Sequence, residues 1–331
     1  MTKPARATAP VRLDFAGGWT DVPPFSAREG GTVVAAAIGL YAHAEVRPGA
    51  AGLRLDARDL GKTVEVSDVS RLDRAGPLAL LSAGVRLLPV DSCTVRTESD
   101  APPGSGLGSS GALDVALVTA LAAARGESPG AREVADLACR LESVEAGIAG
   151  GRQDQFASTF GGFLRLRFRD PGAEIERLRL DAAFARELER RMVLCYTGAS
   201  HFSGGTIGRV MQAYERGESV VTGALHALRD IAERMAEALC AADLGSVGTL
   251  LSENWRRQQA LDPAMCSAEM GRLEAAMRRC GALGGKAAGS GAGGCMFFLA
   301  ADDPRPAAAA ARDLGMRILP FRWALEGVRP C

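Results

Sequence analysis

The segment Pro102-Pro-Gly-Ser-Gly-Leu-Gly-Ser-Ser-Gly-Ala-Leu113 constrains this 331-residue chain more than any other feature. Glycines and serines fill all but one of positions 104–111, and an apolar run follows at once. Glycine takes backbone conformations closed to residues with a Cβ. A glycine-rich loop that opens a helix presents unpaired amide N–H groups at the positive end of the helix dipole, a ready phosphate site. The segment lacks the Gly-Lys-Ser/Thr ending of a Walker A loop, and Gly104-Ser-Gly-Leu-Gly108 has the wrong spacing for a dinucleotide fingerprint. On its own it reads equally well as a glycine-rich turn before a helix. Two further glycine-rich segments, Gly17-Gly18 and 284–294, each adjoin a strand or a helix. Three together point to a polyphosphate cradle assembled from distant parts of the chain.

The rest of the pattern is α+β. Alternation predicts strands over 11–15, 31–38, 41–46, 53–57, 63–66, 93–98, 161–168, 191–196, 295–300 and 316–321, with Gly39 near a turn. Helical spacing predicts helices over 77–88, from the loop to 124, and over 131–146, 207–214, 220–240, 244–259, 266–280 and 307–314. Lys plus Arg equals Asp plus Glu at 39 each, so no net basicity points to nucleic acid or a membrane, and a small molecule is the expected partner. Eight cysteines without a CxxC pair, and only three histidines, argue for reduced buried thiols in a cytoplasmic protein rather than a zinc site. No signal peptide and no 18-residue apolar run are visible.

Phosphoryl transfer needs charge neutralisation on the β- and γ-phosphates, Mg²⁺, and a hydroxyl acceptor held in line. Amides of 104–111 meet the first need. A serine hydroxyl with a carboxylate can hold Mg²⁺, and a second carboxylate can take the hydroxyl proton. Glu142, late in a helix, and Asp154, beyond a glycine turn, suit these two roles. Taken alone, Glu142 reads as a solvated helix acid, Glu145 is a neighbouring candidate, and Asp154 reads as a turn cap.

The chain resembles the GHMP kinases, named for galactokinase, homoserine kinase, mevalonate kinase and phosphomevalonate kinase. Three segments carry the resemblance, in the family's order: Ala9-Pro-Val-Arg-Leu-Asp-Phe-Ala-Gly-Gly-Trp-Thr-Asp-Val-Pro-Pro24, Pro102-Pro-Gly-Ser-Gly-Leu-Gly-Ser-Ser110 and Gly285-Lys-Ala-Ala-Gly-Ser-Gly-Ala-Gly-Gly-Cys295. Gly17-Gly-Trp-Thr-Asp-Val-Pro-Pro24, Gly150-Gly-Arg-Gln-Asp-Gln-Phe156 and Glu253-Asn-Trp-Arg256 look like the branch of D-glycero-D-manno-heptose 7-phosphate kinases and fucokinases. The resemblance implies two α+β lobes over 1–170 and 171–331. The first would be like ribosomal protein S5 domain 2, the second ferredoxin-like. It implies an ATP-dependent sugar kinase, a monomer or homodimer, acting on an anomeric hydroxyl. The expected acceptor is heptose 7-phosphate; the alternatives are a free sugar such as L-fucose, or a non-catalytic nucleotide-binding regulator.

Residue by residue, the resemblance makes Asp154 the base, with Arg12 steadying it, and Ser110 and Glu142 the Mg²⁺ ligands. ATP falls to Pro103, Gly104, Ser105, Gly106, Gly108, Ser109, Ser110, Gly291 and Gly293. The substrate falls to Trp19, Thr20, Asp21, Arg152, Gln153 and His201. Several alternatives stay open. Ser109 and Ser110 can cap the helix, Trp19 can stack on a sugar or pack, and Lys286 can touch a phosphate or solvate its loop. Where that branch has Thr-Arg-Ser after a Thr-Gly, this chain has Ala199-Ser-His201. The change removes the better bidentate phosphate partner and leaves Arg152 as the remaining candidate cation.

Overall fold

A helix that is apolar around its whole circumference must be covered on every side. Helix α3 (Ser109–Ala124), which follows the glycine loop, is of this kind, and it lies against strands β1 (Ala5–Ala16) and β2 (Gly31–Pro48). The computed structural model describes residues 3–49, 52–170, 172–198 and 204–331. Among these, no helix is long and apolar enough to cross a membrane.

Eight strands form the first sheet. Its main path runs β12 (Arg329–Pro330), β1, β2, β5 (Cys93–Ser99), β3 (Leu53–Ala57), β4 (Lys62–Val66). Strand β6 (Phe163–Arg169) pairs with the first part of β2, and β7 (Gly172–Arg177) pairs with β6. The sequence predicts two strands turning near Gly39, but β2 runs unbroken through it. Val11 faces Ile38 while Pro10 faces Tyr41, so Gly39 and Leu40 form a bulge that lets one long strand change partners.

The second sheet runs β11 (Arg317–Ile318), β8 (Met192–Tyr196), β10 (Cys295–Ala300), β9 (Ala282–Ala287), all antiparallel. In chain order β8 leads into four helices, then β9 and β10, one helix and β11. That is the β-α-β-β-α-β plan of a ferredoxin-like layer. The lobes meet in one apolar core, where Phe15 of β1 stands 5.5 Å from Phe297 of β10 and 6.1 Å from Trp323. A division at 170 cuts the β6–β7 hairpin of the first sheet, so the first lobe extends through Arg177, and the chain returns to it at β12.

Helix α6 (Ala182–Arg191) is not evident from the apolar pattern; Asp181 caps it by accepting from the N–H groups of Ala183 and Phe184. Strand β9 hides in a glycine-rich stretch for a steric reason. A Cβ at Gly284 would stand 1.7 Å from the carbonyl oxygen of Gly248 on α9 (Leu244–Gln259), so only glycine allows that helix and strand to touch. Gly284→Ala should therefore destabilise the protein by about 1–3 kcal/mol through overpacking. Gly271→Ala, in an open position of α10 (Ala268–Arg279), should instead be neutral or stabilise by about 0.4–1 kcal/mol. Denaturant midpoints of the two variants check both.

Candidate active site

A cavity of about 340 Å³ lies where the three glycine-rich segments meet. Gly108 is the N-cap of α3, with φ 74° and no side chain capping the helix. Ser109 and Ser110 are its first helical residues rather than caps. The first helical hydrogen bond runs from Ala112 N–H to Gly108 C=O, so the helix itself supplies no acceptor for the amides before it. Gly104, Gly106, Gly108, Ser109, Ser110, Gly291 and Gly293 all line the cavity.

Pro103 is exposed and Ser105 wholly buried, and neither is part of the lining. The Ser105 carbonyl instead accepts from Cys295 N–H at 2.7 Å and docks the third segment onto the second. Contact there is backbone to backbone. A Cβ at Gly289 would stand 2.4 Å from the Gly106 oxygen.

Arg12 crosses this junction. Its Nε donates to Asp154 Oδ1 at 2.8 Å, and its Nη1 donates to the carbonyls of Gly106 at 2.7 Å and Ala288 at 3.0 Å. Asp154 lies in the first turn of α5 (Gln153–Phe160), against Gly111, where a Cβ would come within 2.5 Å of the aspartate's own. No described residue donates to Asp154 Oδ2.

Helix α4 (Ala131–Arg140) ends in a wide π-helical turn, Leu141–Glu145, that carries Glu142 to the cavity wall. Glu145 faces Arg140 at 3.4 Å instead and is not part of the lining, which separates the two candidates. Gln155 Nε2 donates to Glu142 Oε2 at 2.6 Å. Burial, and then the charge of Asp154, push Glu142 up to about 7. Asp114, on the buried face of α3, is held well above the usual carboxylate range by burial and by Glu142. Apolar periodicity gives no hint of this acid.

The remaining wall is the turn after β1. Thr20 is wholly buried; its one hydroxyl hydrogen is shared between the carbonyls of Gly17 at 2.7 Å and Thr32 at 3.0 Å, bracing the turn instead of facing the cavity. Trp19 sits in the left-handed region at φ 83°, an uncommon place for a bulky residue. It both lines the cavity and packs with Val22, Phe25 and Ile207. Asp21 Oδ2 accepts from the N–H groups of Arg152 at 2.8 Å and Gln153 at 3.0 Å, so it caps α5 from a distant part of the chain. Burial raises Asp21 to about 6 against the bond from Gln153, and the charges of Asp154 and Asp14 add to the rise.

Gln153 lines the cavity with its amide 3.4 Å from Asp21 Oδ1. The Arg152 side chain leaves the cavity: its guanidinium lies 5.0 Å over the Phe168 ring and donates to Gly172 C=O at 3.4 Å. His201 lies outside the described residues. Lys286 reaches neither the cavity lining nor solvent. It is fully buried, and its Nζ donates to Asp14 at the backbone oxygen, 2.6 Å, and at Oδ2, 3.0 Å. Asp14 itself lines the cavity. Its signal in the sequence is the i, i+2 spacing from Arg12 on one strand face.

A two-lobed α+β fold with this cleft belongs to an enzyme that transfers phosphate to an alcohol group. The chain is a member of the GHMP kinase family: residues 76–162 match GHMP kinases N terminal domain and residues 235–315 match GHMP kinases C terminal. It is 32% identical to D-glycero-alpha-D-manno-heptose 7-phosphate kinase of Campylobacter jejuni, over 89% of each chain. It is 29% identical to the bifunctional fucokinase/GDP-fucose pyrophosphorylase of Arabidopsis thaliana, over 88% of this chain and 29% of that one. Among solved structures it is similar to a D-glycero-D-manno-heptose 1-phosphate kinase from Bacteroides thetaiotaomicron, with TM-score 0.77, 27% identity and coverage of 99% and 98%. As in the family, ATP is the phosphate donor.

The raised acid at Asp21 has a measurable sign. The folded state holds a proton there between the ordinary value, 3.8, and about 6, so its contribution to stability is fully present below 3.8 and is lost as pH rises through 6. Asp21→Asn keeps an acceptor oxygen for the two N–H groups but has no charge to bury. Thermal melts from pH 4 to 8 should show wild type losing ground to this variant between pH 4 and 7, with a constant gap above. A constant difference throughout would show that Asp21 does not titrate this way.

Proposed function

We propose that the protein transfers the γ-phosphoryl group of ATP to the anomeric hydroxyl of D-glycero-D-manno-heptose 7-phosphate, forming the 1,7-bisphosphate. The Arg12–Asp154 pair carries the reading. A carboxylate with one oxygen engaged by a guanidinium, and the other without a donor among the described residues, stands between the α3 amides and the Asp21 turn. Support for the heptose comes from the Campylobacter jejuni relative.

In this reading Asp154 Oδ2 takes the proton of the acceptor hydroxyl, and Arg12 holds the carboxylate in place while it does so. Asp21 and Gln153 orient sugar hydroxyls, and the α3 amides receive the charge of the phosphates. The donors present also fit Mg²⁺. Glu142 and Ser110 are hard oxygen ligands, and a buried acid raised to about 7 marks a place short of positive charge. Mg²⁺ bound there would neutralise the β- and γ-phosphates. Glu142→Gln and Ser110→Ala should each raise the Mg²⁺ concentration needed for half-maximal rate, and Glu145→Gln should not. A Mg²⁺ titration in which Glu145→Gln shifts instead would exchange the two acids.

One observation favours a second acceptor, a free sugar such as L-fucose. The described residues lining the cavity include four carboxylates (Asp14, Asp21, Glu142 and Asp154) and a single cation, Arg12, already engaged. Arg152 lies over Phe168. An acceptor phosphate is poorly served by that wall. ATP consumption measured with heptose 7-phosphate, free heptose and L-fucose separates the readings. Efficient turnover of the free sugar, with the phosphorylated one inert, would replace the heptose phosphate. In either case Asp154→Asn should cut turnover roughly 10²–10⁴-fold while ATP still binds. Wild-type turnover in that variant would remove Asp154 from the mechanism.

A further inference from the structure

Helix α9 contains the stretch Glu253-Asn-Trp-Arg256, yet none of its residues lines the cavity. Two of its side chains nevertheless reach both halves of the site. Asn254 Oδ1 accepts from the N–H of Gly17 at 3.0 Å. One helical turn later, Gln258 Nε2 donates to the C=O of Gly289 at 2.7 Å. Both residues are almost wholly buried, at 0% and 1% exposure. Their i, i+4 spacing puts them on one face of the helix.

Gly17 begins the turn that carries Trp19 and Asp21. Gly289 begins the loop that lies on Gly106 and leads to Gly291 and Gly293. The helix between them is itself fixed. It touches β9 at Gly248 and Gly284, and buried Trp255 donates its Nε1–H to Glu274 of α10 at 3.1 Å.

We propose that Asn254 and Gln258 are positioning residues that set, from one helix of the second lobe, the separation between the acceptor-binding turn and the phosphate loop. The inference rests on reading the Gly17–Asp21 turn as the acceptor side and the glycine loops as the ATP side. Phosphoryl transfer depends almost wholly on alignment, and a loop displaced by about 1 Å can cost roughly 10²-fold. Asn254 satisfies a buried N–H that would otherwise be left unpaired, and Gln258 bonds a half-buried carbonyl, so each loop is held at its hinge. Because the helix is stiff, neither loop can shift relative to the other without breaking one of these two bonds. Of their neighbours, Glu253 meets Arg234 at the surface and Trp255 serves the packing of the second lobe.

The test uses Asn254→Leu, Asn254→Asp and Gln258→Met, with circular dichroism melts to confirm folding. Asn254→Leu should raise the acceptor KM by about 10-fold or more and leave ATP binding, measured by equilibrium dialysis without acceptor, within about twofold. Gln258→Met should do the reverse. Both should lower kcat by roughly 10–100-fold. Asn254→Asp keeps an oxygen for the Gly17 N–H and should return the acceptor KM to near wild type.

Heptose 7-phosphate and L-fucose are the acceptor probes. A folded Asn254→Leu with an unchanged acceptor KM, or equal weakening of both ligands in both variants, would overturn the proposal and leave the sugar-kinase reading intact. If wild type turns over neither sugar, that reading falls and dialysis still decides. Weaker ATP binding in Gln258→Met but not in Asn254→Leu upholds the positioning role, and equal affinities overturn it.

Discussion

The guanidinium of Arg12 is where the site is joined. It is 6% exposed and meets a carboxylate from α5, a carbonyl from the loop before α3 and a carbonyl from the segment after β9. These groups come from regions 94, 142 and 276 positions away in the chain. A planar fork with donors in fixed directions can satisfy all three at once, which a lysine's single ammonium cannot match in geometry. Asp154 therefore cannot move independently of the two glycine-rich loops. The glycines around it follow from the same need: Gly108, Gly111 and Gly289 let backbone and carboxylate approach where a Cβ would collide or crowd.

Held this closely, the acids of the site oppose one another. Asp21, Asp114 and Glu142 are all raised by burial and by neighbouring negative charge. A chain selected for stability alone would not bury so many carboxylates in one place. Two cations offset part of the cost. Arg12 pairs with Asp154, and Lys286, itself lowered by burial, pairs with Asp14. Among the described residues, no Lys, Arg or His side chain pairs with Asp21, Asp114 or Glu142.

How much of this can be read from the chain depends on what kind of signal each feature leaves. Helix α3 and its loop announce themselves, because an apolar run after clustered glycines has few other folds. Helices α8 (Ser219–Cys240) and α9 follow from their apolar spacing. Strand β9 does not, since Gly284 and Gly285 are there for steric contact and carry no β-propensity. Gly39 reads as a turn because a bulge and a turn use the same residue; only the partner strands tell them apart.

Among site residues, Asp154, Arg12 and Glu142 are legible through motif and resemblance. Arg152, Thr20 and Lys286 are legible as residue types but not as directions. Whether an arginine faces a cavity or a phenylalanine ring is decided by packing from β6, which no local pattern encodes. Asn254 and Gln258 lie beyond local reading altogether, because their partners are backbone groups 237 and 31 positions away.

The buried pair of Asp14 and Lys286 bears on how such a chain is made. Asp14 belongs to the first strand, and its only described cation arrives 272 residues later. During synthesis the first lobe emerges with that carboxylate and without Lys286, so burying it at that stage, beside the other acids of the cleft, would be unfavourable. Completion of the amino-terminal half thus waits for the carboxy-terminal half. The two lobes, distinct as architecture, should therefore fold as one unit, with an isolated first lobe a partly open intermediate rather than a miniature of the whole.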